Sequence, residues 1–201
     1  MLIYIIVGSV REGRTAIKVA NWVLQATTEL ALKDIQTEII DLKEWDLPLF
    51  AGTHPPASGI YDQPKQQQWA DKIAQAQAFI LISPEYNHGY SPALKNALDY
   101  LGKEWQGKSA AYIGYGSTNG SRSIDQICQV GTQLGLVDSN AVLVKGWNKI
   151  TNKWYYFNDQ GIMQTGWQLI NNQWFYLNAS GDMYTGWLKS GNKWYYLNKL
   201  R

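Results

Sequence analysis

Short runs of apolar residues alternate with longer amphipathic stretches along residues 1–144. Continuous apolar runs are typical of strands that are buried on both faces, and such strands occur in parallel sheets. The stretches between them have the spacing of helices that bury one stripe of side chains against a sheet. Because the two kinds of segment alternate, the pattern predicts an α/β fold with helices on both faces of a parallel sheet.

Five strands and four connecting helices are predicted in this region. The predicted strands are residues 2–7, 37–41, 78–82, 109–114 and 141–144. The predicted helices are residues 15–30, 63–77, 92–101 and 123–134. The helix at Pro92 has a clear start, because Ser91 can cap it and proline lacks only an N–H that the first turn does not use. This order of elements predicts a doubly wound five-stranded sheet.

From residue 145 the chain becomes a strict repeat with a period of 20 residues. The dipeptide Gly-Trp recurs at positions 146, 166 and 186, and a triplet of aromatic residues begins at positions 154, 174 and 194. A fixed period of this length indicates small units that stack to bury their side chains. In each unit the aromatic strand precedes a turn and a second short strand ending at the next Gly-Trp, which predicts stacked β-hairpins.

Composition and charge change at the same position. Residues 1–144 hold 13 Phe, Trp and Tyr, whereas residues 145–201 hold 14. Lys and Arg number 11 against 14 Asp and Glu in the first part, and 7 against 2 in the second. Neither part carries a dense basic patch, so no nucleic-acid partner is predicted. The sequence therefore predicts two domains, residues 1–144 and 145–201.

Cysteine and histidine are too few for several kinds of chemistry. The single cysteine, Cys128, cannot form a disulfide within the chain and is expected to be a core residue. The two histidines, His54 and His88, do not make a zinc site unaided, so no metal is predicted. The longest apolar run, residues 2–7, is too short for a transmembrane segment and lacks the basic start of a signal peptide. We therefore expect a cytoplasmic location.

Three loops follow the carboxyl ends of the predicted strands, where open α/β sheets bind their ligands. The first loop, residues 8–15, has small residues whose backbone N–H groups can face an anion at a helix N-terminus. Arg11 and Arg14 oppose the helix dipole there, at a cost of about 0.3–1 kcal/mol each. A phosphate bound between them would relieve that cost. The alternative is a solvated loop in which Glu12 is the counter-charge.

The second loop, residues 84–91, offers the flat face of Tyr86 and the amide of Asn87. The third loop, residues 114–122, contains three glycines, which permit close backbone approach to a planar ligand. A phosphate at the first loop and a flat polar ring between the other two suit a mononucleotide such as FMN. His88, in the second loop, either contacts substrate or is an exposed histidine without a function.

Three motifs resemble those of the NADPH-dependent FMN reductases, which have a flavodoxin-like fold. They are Gly-Ser-Val-Arg-Glu-Gly-Arg in the first loop, Pro-Glu-Tyr-Asn-His-Gly-Tyr-Ser-Pro-Ala-Leu-Lys-Asn-Ala-Leu-Asp-Tyr-Leu at 84–101, and Gly-Tyr-Gly in the third loop. The resemblance covers residues 1–144 and implies bound FMN, NADPH or NADH as hydride donor, and a homodimer. The implied phosphate contacts are Ser9, Arg11, Gly13, Arg14 and Thr15. The implied ring contacts are Pro84, Glu85, Tyr86, Asn87, Tyr115, Gly116 and Ser117.

The cofactor implied by this resemblance also sets the expected mechanism. Hydride would pass from the nicotinamide to the flavin and then to an acceptor such as a flavin, a quinone or an azo compound, so no catalytic side chain is nominated. One feature departs from the resemblance, because the repeats begin where this fold has a last helix. Its loss is expected to expose apolar surface on the fifth strand and the first helix. The alternative function is a non-enzymatic wall-binding protein with an inactive flavodoxin-like domain.

The aromatic residues of the repeats alternate between the two faces of their strands. Trp154 and Tyr156 lie on one face, and Tyr155 and Phe157 lie on the other. Rings that meet at nearly right angles form a cage for a quaternary ammonium group, worth about 0.5–2 kcal/mol per ring face. The alternative is that all the rings fill a small core.

The pattern Gly-Trp…Trp-Tyr-Tyr…Gly-x-Met-x-Thr-Gly-Trp resembles the choline-binding cell-wall repeats of Gram-positive bacteria and their phages. The resemblance implies choline or phosphocholine-bearing teichoic acid as the ligand and association with the cell wall. Glucan-binding repeats are the nearest alternative. The implied cages are Trp147, Trp154 and Tyr176, then Trp167, Trp174 and Tyr196, with Met163 and Met183 as wall residues. Further implied choline contacts are Tyr156, Trp187 and Trp194.

Overall fold

The computed structural model describes residues 1–30, 33–116, 119–138, 146–150, 153–158 and 163–198. The chain divides into two compact units, Met1–Ala141 and Val142–Arg201. The predicted boundary between residues 144 and 145 lies outside the described residues.

The first unit contains a five-stranded sheet in the order β2-β1-β3-β4-β5. Its strands are β1 Leu2–Val7, β2 Gln36–Asp41, β3 Ala78–Pro84, β4 Ser109–Tyr115 and β5 Val137–Asp138. All neighbouring strands are parallel. This is the strand order of the flavodoxin-like doubly wound fold, which confirms the predicted fold class.

Helices connect the strands of this sheet. They are α1 Ala16–Glu29, α2 Leu42–Trp45, α3 Pro64–Ala74, α4 Pro92–Asp99 and α5 Ser121–Gln133, with a short 3₁₀ turn at Pro56–Ser58. Ser91 caps α4 as predicted, because its hydroxyl accepts the Ala93 N–H at 3.2 Å. The short helix α2 was not predicted, and it begins where the Asp41 carboxylate accepts the Lys43 N–H at 3.0 Å.

The fifth strand differs from the prediction. The predicted strand at residues 141–144 lies outside the described residues. The strand that the structure describes, β5, comes earlier and pairs Val137 and Asp138 with the start of β4. It has only two residues, too few for the continuous apolar run by which a strand is recognised in a sequence.

The larger core lies on one face of the sheet, against α2, α3, α4 and α5. Trp69 and Trp105 are fully buried there. Each indole N–H donates to a backbone carbonyl, Trp69 to Ala97 at 2.9 Å and Trp105 to Leu98 at 3.1 Å. These bonds remove the cost of burying a polar group inside an apolar core.

The opposite face of the sheet is covered less completely. Within the described residues, α1 is the only helix whose side chains join the core on this face. Ile80 and Ile113 of the central strands and Trp22 of α1 are only half-buried, and Val137 on β5 is 54% exposed. Apolar surface therefore remains partly exposed on this face among the described residues.

The described residues of the second unit form three antiparallel two-stranded hairpins. The pairs are β6 Gly146–Ile150 with β7 Lys153–Phe157, β8 Gly166–Ile170 with β9 Gln173–Leu177, and β10 Gly186–Ser190 with β11 Lys193–Leu197. Each Gly-Trp strand therefore pairs with the aromatic strand that follows it, which corrects the predicted pairing. The predicted partner segments form single bridges instead, at Phe157↔Met163 and Leu177↔Met183.

Turn chemistry explains the observed pairing. Asn171 and Asn172, between β8 and β9, both have positive φ values, 49° and 62°. A two-residue turn with both residues in this region matches the twist of a hairpin, and asparagine tolerates it well. The tight turn thus lies between the Gly-Trp strand and the aromatic triplet rather than after the triplet.

Candidate functional site

The first loop leaves the carboxyl end of β1 in close contact with β3. The Gly8 N–H donates to the Ile82 carbonyl at 2.8 Å. A Cβ atom at Gly8 would lie 2.6 Å from that oxygen, so only glycine fits. The next residue, Ser9, is fully buried. Its hydroxyl therefore lies within the protein, next to the carboxyl end of β1, and not in solvent.

One side chain from each of the three loops meets at this edge. The hydroxyl oxygens of Ser9 and Tyr86 lie 2.8 Å apart and share a hydrogen bond. Burial raises the pKa of the Tyr115 hydroxyl and nearby Tyr86 adds to the rise, whereas a hydrogen bond with Ser9 opposes it. Ser9, Tyr86 and Tyr115 therefore form a cluster, called here the hydroxyl cluster, that joins the three loops.

The second loop is a tight hairpin turn. The Tyr86 N–H donates to the Gly89 carbonyl at 2.8 Å, and the Gly89 N–H donates back to Tyr86 at 3.0 Å. Between them, Asn87 and His88 have positive φ values of 48° and 77°. Asparagine tolerates left-handed backbone in such a turn, whereas at His88 it costs on the order of 1–3 kcal/mol, and such strain is concentrated at functional sites.

Helix α5 supports this turn through two side chains that the sequence analysis did not single out. The Gln126 amide donates to the His88 carbonyl at 3.1 Å, and Arg122 Nη1 lies 3.8 Å from Glu85 Oε1. Positions 122 and 126 are four residues apart and share one helix face. The sequence shows that these two side chains share a helix face. It does not show which residues they contact, because those loop residues are far away along the chain.

The third loop packs closely on the second. The Glu85 N–H donates to the Tyr115 carbonyl at 2.7 Å. A Cβ atom at Gly116 would lie 2.9 Å from the Glu85 Cβ, and one at Gly114 would lie 2.5 Å from the Gly120 carbonyl oxygen. These two glycines allow segments of the protein itself to pack closely together. The sequence analysis assigned the glycines of this loop only to the close approach of a planar ligand.

The remaining predicted contacts of this site differ in accessibility. Pro84 is buried at the end of β3, and Ser117 lies outside the described residues. The exposed members of the set are Arg11, Gly13, Thr15, Asn87 and Gly116. The exposed residues thus come from all three loops, as do the members of the hydroxyl cluster, of which Ser9 is buried and the two tyrosines are half-buried.

The two arginines of the first loop have different environments. Arg14 forms an ion pair with Asp41 at the end of β2, and their side chains are only 13% and 6% exposed. The Arg14 Nε atom is buried and, within the described part of the chain, has no hydrogen-bond partner. Glu12 pairs with Lys43 instead of the arginines, and this bond lowers the pKa of the Glu12 carboxyl. Nearby Arg14 also contributes to the lowered pKa of Glu12, so the counter-charge expected in the solvated-loop alternative acts mainly on Lys43 and to a smaller extent on Arg14.

In the second unit, Trp167 lies at the centre of a group of aromatic rings. Its ring centroid is 6.3 Å from that of Trp174, at an interplanar angle of 82°. Tyr176, directly across the hairpin, is 5.4 Å away, and Tyr195 of the next hairpin is 4.8 Å away. Edge-to-face packing of this kind brings four aromatic rings from two successive hairpins together around Trp167.

The first hairpin repeats this arrangement. Trp147 packs 5.2 Å from Tyr156 of its own hairpin and 4.7 Å from Phe175 of the next. The ring supplied by the following hairpin is therefore the middle one of the triplet, Phe175 or Tyr195. The predicted third members, Tyr176 and Tyr196, lie across their own hairpins from Trp167 and Trp187, because direct cross-strand pairing brings those rings together.

The structure gives the two methionines, Met163 and Met183, different neighbours. The Met183 N–H donates to the Trp154 carbonyl at 2.7 Å, which places Met183 beside the first hairpin. Met163 packs against the following loop, since a Cβ at Gly181 would lie 2.3 Å from its sulfur. Met183 is thus next to the first predicted cage, a distinction that the sequence left open.

Many of these rings are accessible to solvent. Trp174, Trp187, Trp194 and Tyr196 are each between 59% and 63% exposed. Among the described residues of this unit, the buried apolar side chains are Ile170, Leu177 and Leu197. Since four of the aromatic side chains are mostly exposed, the alternative in which all rings fill a core is wrong.

A buried carboxylate links the first two repeats. Asp182 is 8% exposed and accepts hydrogen bonds from Asn178 at 3.0 Å, Lys153 at 3.1 Å and Ser180. Burial alone would raise the pKa of Asp182, but the bonds from Ser180, Asn178 and Lys153 outweigh it and lower the pKa. Lys153 lies on β7, so this ion pair joins one hairpin to the loop that follows the next.

The described residues contain neither a membrane-spanning helix nor a cluster of metal-binding side chains. No helix among them is long and apolar enough to cross a bilayer. No group of three or more His, Cys, Asp and Glu side chains in the same residues could hold a metal ion.

The fold and the site define a class of protein. The first unit is a flavodoxin-like α/β domain whose three loops converge where the strand order reverses, and the second is an array of aromatic hairpins. The chain belongs to the NADPH-dependent FMN reductase family, whose model matches residues 1–148. The model of the choline-binding repeat matches residues 144–169 and 164–200.

Individual relatives agree with the family match. An NAD(P)H-dependent FMN reductase of Schizosaccharomyces pombe is 37% identical over 130 residues, 64% of this chain and 64% of that protein. An NAD(P)H-dependent FMN reductase of Saccharomyces cerevisiae is 32% identical over 155 residues, 72% of this chain and 81% of that protein. The chain spans just under two thirds of the Schizosaccharomyces pombe relative and of a Nectria relative, 64% and 65% of their lengths.

A solved structure shares the architecture of the first unit. The flavoenzyme NAD(P)H:(acceptor) oxidoreductase FerB from Paracoccus denitrificans superposes with a TM-score of 0.55 at 25% sequence identity. The match covers 70% of this chain and 76% of that chain. It extends across most of the first unit and supports the arrangement of its sheet and loops.

Proposed function

We propose that this chain is an FMN-dependent NAD(P)H oxidoreductase that carries a choline-binding module. The observation that carries the first part is the hydroxyl cluster, which gathers Ser9, Tyr86 and Tyr115 where the loops of the sheet converge. Family membership and the position of the cluster both favour a flavin as the ligand of this edge.

The residues of the first loop fit the phosphate of FMN. Its backbone begins α1, where N–H groups point outward and favour an anion. The Arg14 Nε atom is a buried donor with no hydrogen-bond partner among the described residues, and a phosphate oxygen is a suitable acceptor for it. Arg11 is exposed beside it and supplies a second positive charge.

The chain contributes binding and orientation rather than acid–base chemistry. FMN, when bound, supplies the hydride-accepting ring through which reducing equivalents pass from NAD(P)H to an acceptor such as a flavin, a quinone or an azo compound. Tyr86 and Asn87, held by the hairpin turn, would orient one face of that ring. The Gly116 backbone, pressed against Glu85, would limit access of water from the other side.

Flavin binding tests the first part directly. The purified protein, mixed with FMN and passed through a desalting column, should keep a stoichiometric yellow flavin and oxidise NAD(P)H. Tyr86→Phe, which removes only the hydroxyl bonded to Ser9, should weaken binding several-fold. A protein that stays colourless would instead favour a non-enzymatic wall-binding role with an inactive first domain.

The second part rests on the perpendicular rings around Trp167. About three ring faces, less the cost of desolvation, correspond to a dissociation constant of roughly 1 mM for choline. Useful attachment to a choline-bearing teichoic acid, and so to the cell wall, would then depend on several cages acting together. The implied homodimer would double their number.

Retention on a choline-type resin tests this part. The protein should stay bound at high salt, because ring faces rather than screened surface charges hold it, and should elute in excess free choline. Trp174→Ala should reduce retention, whereas Gln173→Ala, which alters an exposed polar side chain on the same hairpin, should not. Elution by a soluble glucan but not by choline would favour the glucan-binding alternative.

A further inference from the structure

The second loop is anchored from two sides. On one side the Tyr86 hydroxyl is bonded to the buried Ser9. On the other side, across the turn, the Gln126 amide donates to the His88 carbonyl at 3.1 Å. The segment that contains Tyr86 and Asn87 is thus held between the first loop and helix α5.

Gln126 lies directly against the turn. A Cβ atom at Gly89 would come within 3.1 Å of the Gln126 Oε1 atom, so the small size of Gly89 allows this approach. Of the two central residues, His88 adopts left-handed backbone although it is neither glycine nor asparagine. Such a conformation persists only where surrounding contacts determine it, and the bond to the His88 carbonyl is such a contact.

We propose that Gln126 is a positioning residue for the flavin ring, an inference that rests on the proposed function. Gln126 acts through the backbone of His88, which fixes the turn and therefore the directions of Tyr86 and Asn87. It lies on α5, which follows the third loop, so its bond also couples the two loops that face the ring.

The position of Gln126 predicts which part of the ligand is bound less tightly when the Gln126 side chain is removed. FMN and riboflavin share the ring, and only FMN carries the phosphate. Because Gln126 contacts the second loop and not the first, its removal should weaken both ligands by the same factor. An arginine of the first loop should instead discriminate between them.

Two variants and one matched control test the role. Gln126→Ala removes the donor, and Gln126→Glu keeps the size but replaces the amide by a carboxylate that cannot donate at neutral pH. Both should bind FMN and riboflavin about tenfold more weakly than the unaltered chain. Gln129→Ala, at an exposed position on the same helix, should bind both ligands normally.

The absorption spectrum of the bound flavin distinguishes the positioning role of Gln126 from a purely structural role. At saturating FMN, both Gln126 variants should show a visible absorption spectrum that differs from that of the unaltered chain, because the ring lies against a displaced loop. A variant that had only lost stability would melt earlier but give the unaltered spectrum once saturated. In the flavin-free protein, the Tyr86 and Gly89 amide protons should exchange faster in both Gln126 variants.

The possible failures are distinguishable. If the unaltered chain binds neither FMN nor riboflavin, both the proposed function and the positioning role of Gln126 are overturned. If the unaltered chain binds flavin and Gln126→Ala has the same affinity, spectrum and amide exchange, only the positioning role is overturned. A loss confined to FMN would also overturn it, because that result would assign Gln126 to the phosphate.

Discussion

Arg14 and Arg11 are three positions apart in one loop, yet their charges have different surroundings. The Arg14 guanidinium is paired with a carboxylate, Asp41, that also caps α2 through the Lys43 N–H. Arg11 extends into solvent. Removing one partner of a largely buried pair leaves the other charge desolvated and unpaired, whereas removing an exposed charge leaves no such group. Only Arg14 should therefore contribute to both stability and phosphate binding.

This difference predicts separate outcomes for the two arginines. Arg14→Ala should lower the free energy of unfolding of the first unit by about 1–3 kcal/mol, and Arg11→Ala should change it by less than about 0.5 kcal/mol. Both variants should weaken FMN more than riboflavin, which lacks the phosphate. Urea unfolding and fluorescence titration with each flavin measure these effects. Equal losses for the two ligands would show that neither arginine contacts the phosphate.

Asp182 predicts a pH dependence for the repeats. Its pKa is lower in the folded chain than its ordinary value of 3.8, so its contribution to stability is present above that value. The contribution should be lost as the pH falls through the lowered pKa, because the carboxylate must then be protonated. Near-ultraviolet circular dichroism of the aromatic rings, recorded from pH 6 to pH 2, should follow this loss. Asp182→Asn should be less stable at pH 6 and should change little on acidification, and an acid transition as large as that of the unaltered chain would contradict the assignment.

At the scale of elements, hydrogen bonds from serine side chains fix the second loop where it leaves β3 and where it enters α4. The Ser83 hydroxyl, at the end of β3, accepts the Ser91 N–H at 3.0 Å, and the Ser91 hydroxyl caps α4. Strand, turn and helix are therefore connected by side-chain bonds to backbone. The start of α4 depends on the Ser91 cap, because the Ala93 N–H belongs to the first helical turn, whose donors have no partner within the helix.

The cap predicts a measurable loss. Ser91→Ala should destabilise the first unit by about 1 kcal/mol, because the Ala93 N–H then loses its acceptor. Ser91→Gly should cost only a few tenths of a kcal/mol, since glycine leaves that N–H open to water. Thermal unfolding of the two variants provides the comparison. A loss from Ser91→Gly as large as that from Ser91→Ala would assign the effect to packing rather than to the cap.

Local patterns in the sequence placed most of these elements. Apolar runs located β1 to β4, and the Ser-Pro start located α4, because both signals depend on neighbouring residues. The partners of Arg14 and Gln126 were not predicted, since Asp41 and His88 are distant in the chain and their approach depends on the finished sheet. The hairpin pairing was also missed, because the turn between β8 and β9 uses two asparagines where glycine is the stronger signal.

At the scale of the whole molecule, the two proposed ligand sites rest on different chemistry. The proposed flavin site depends on loop backbone and hydroxyl groups, and the proposed choline site depends on exposed aromatic faces. The residues proposed for the first all lie in the first unit, and those proposed for the second all lie in the second unit. Loss of one site should therefore leave the other intact.

Paired variants measure this independence. Tyr86→Ala should weaken flavin binding by tenfold or more, because it removes both the ring and the bond to Ser9, and it should leave retention on a choline-type resin unchanged. Trp174→Ala should do the reverse. Flavin fluorescence quenching and resin elution are measured on the same preparations. A reduction of both properties by either variant would show that the two units are energetically coupled.

The contact of Trp147 with Phe175, and of Trp167 with Tyr195, makes each ring group depend on its successor. An array of this kind grows by a fixed increment: inserting one more 20-residue unit adds one neighbour contact and leaves those already present unaltered. Because linked sites multiply their affinities, the strength of attachment should change in steps rather than gradually. Duplication or deletion of 60 nucleotides within the coding sequence would thus adjust adhesion without altering a single side chain of the first unit.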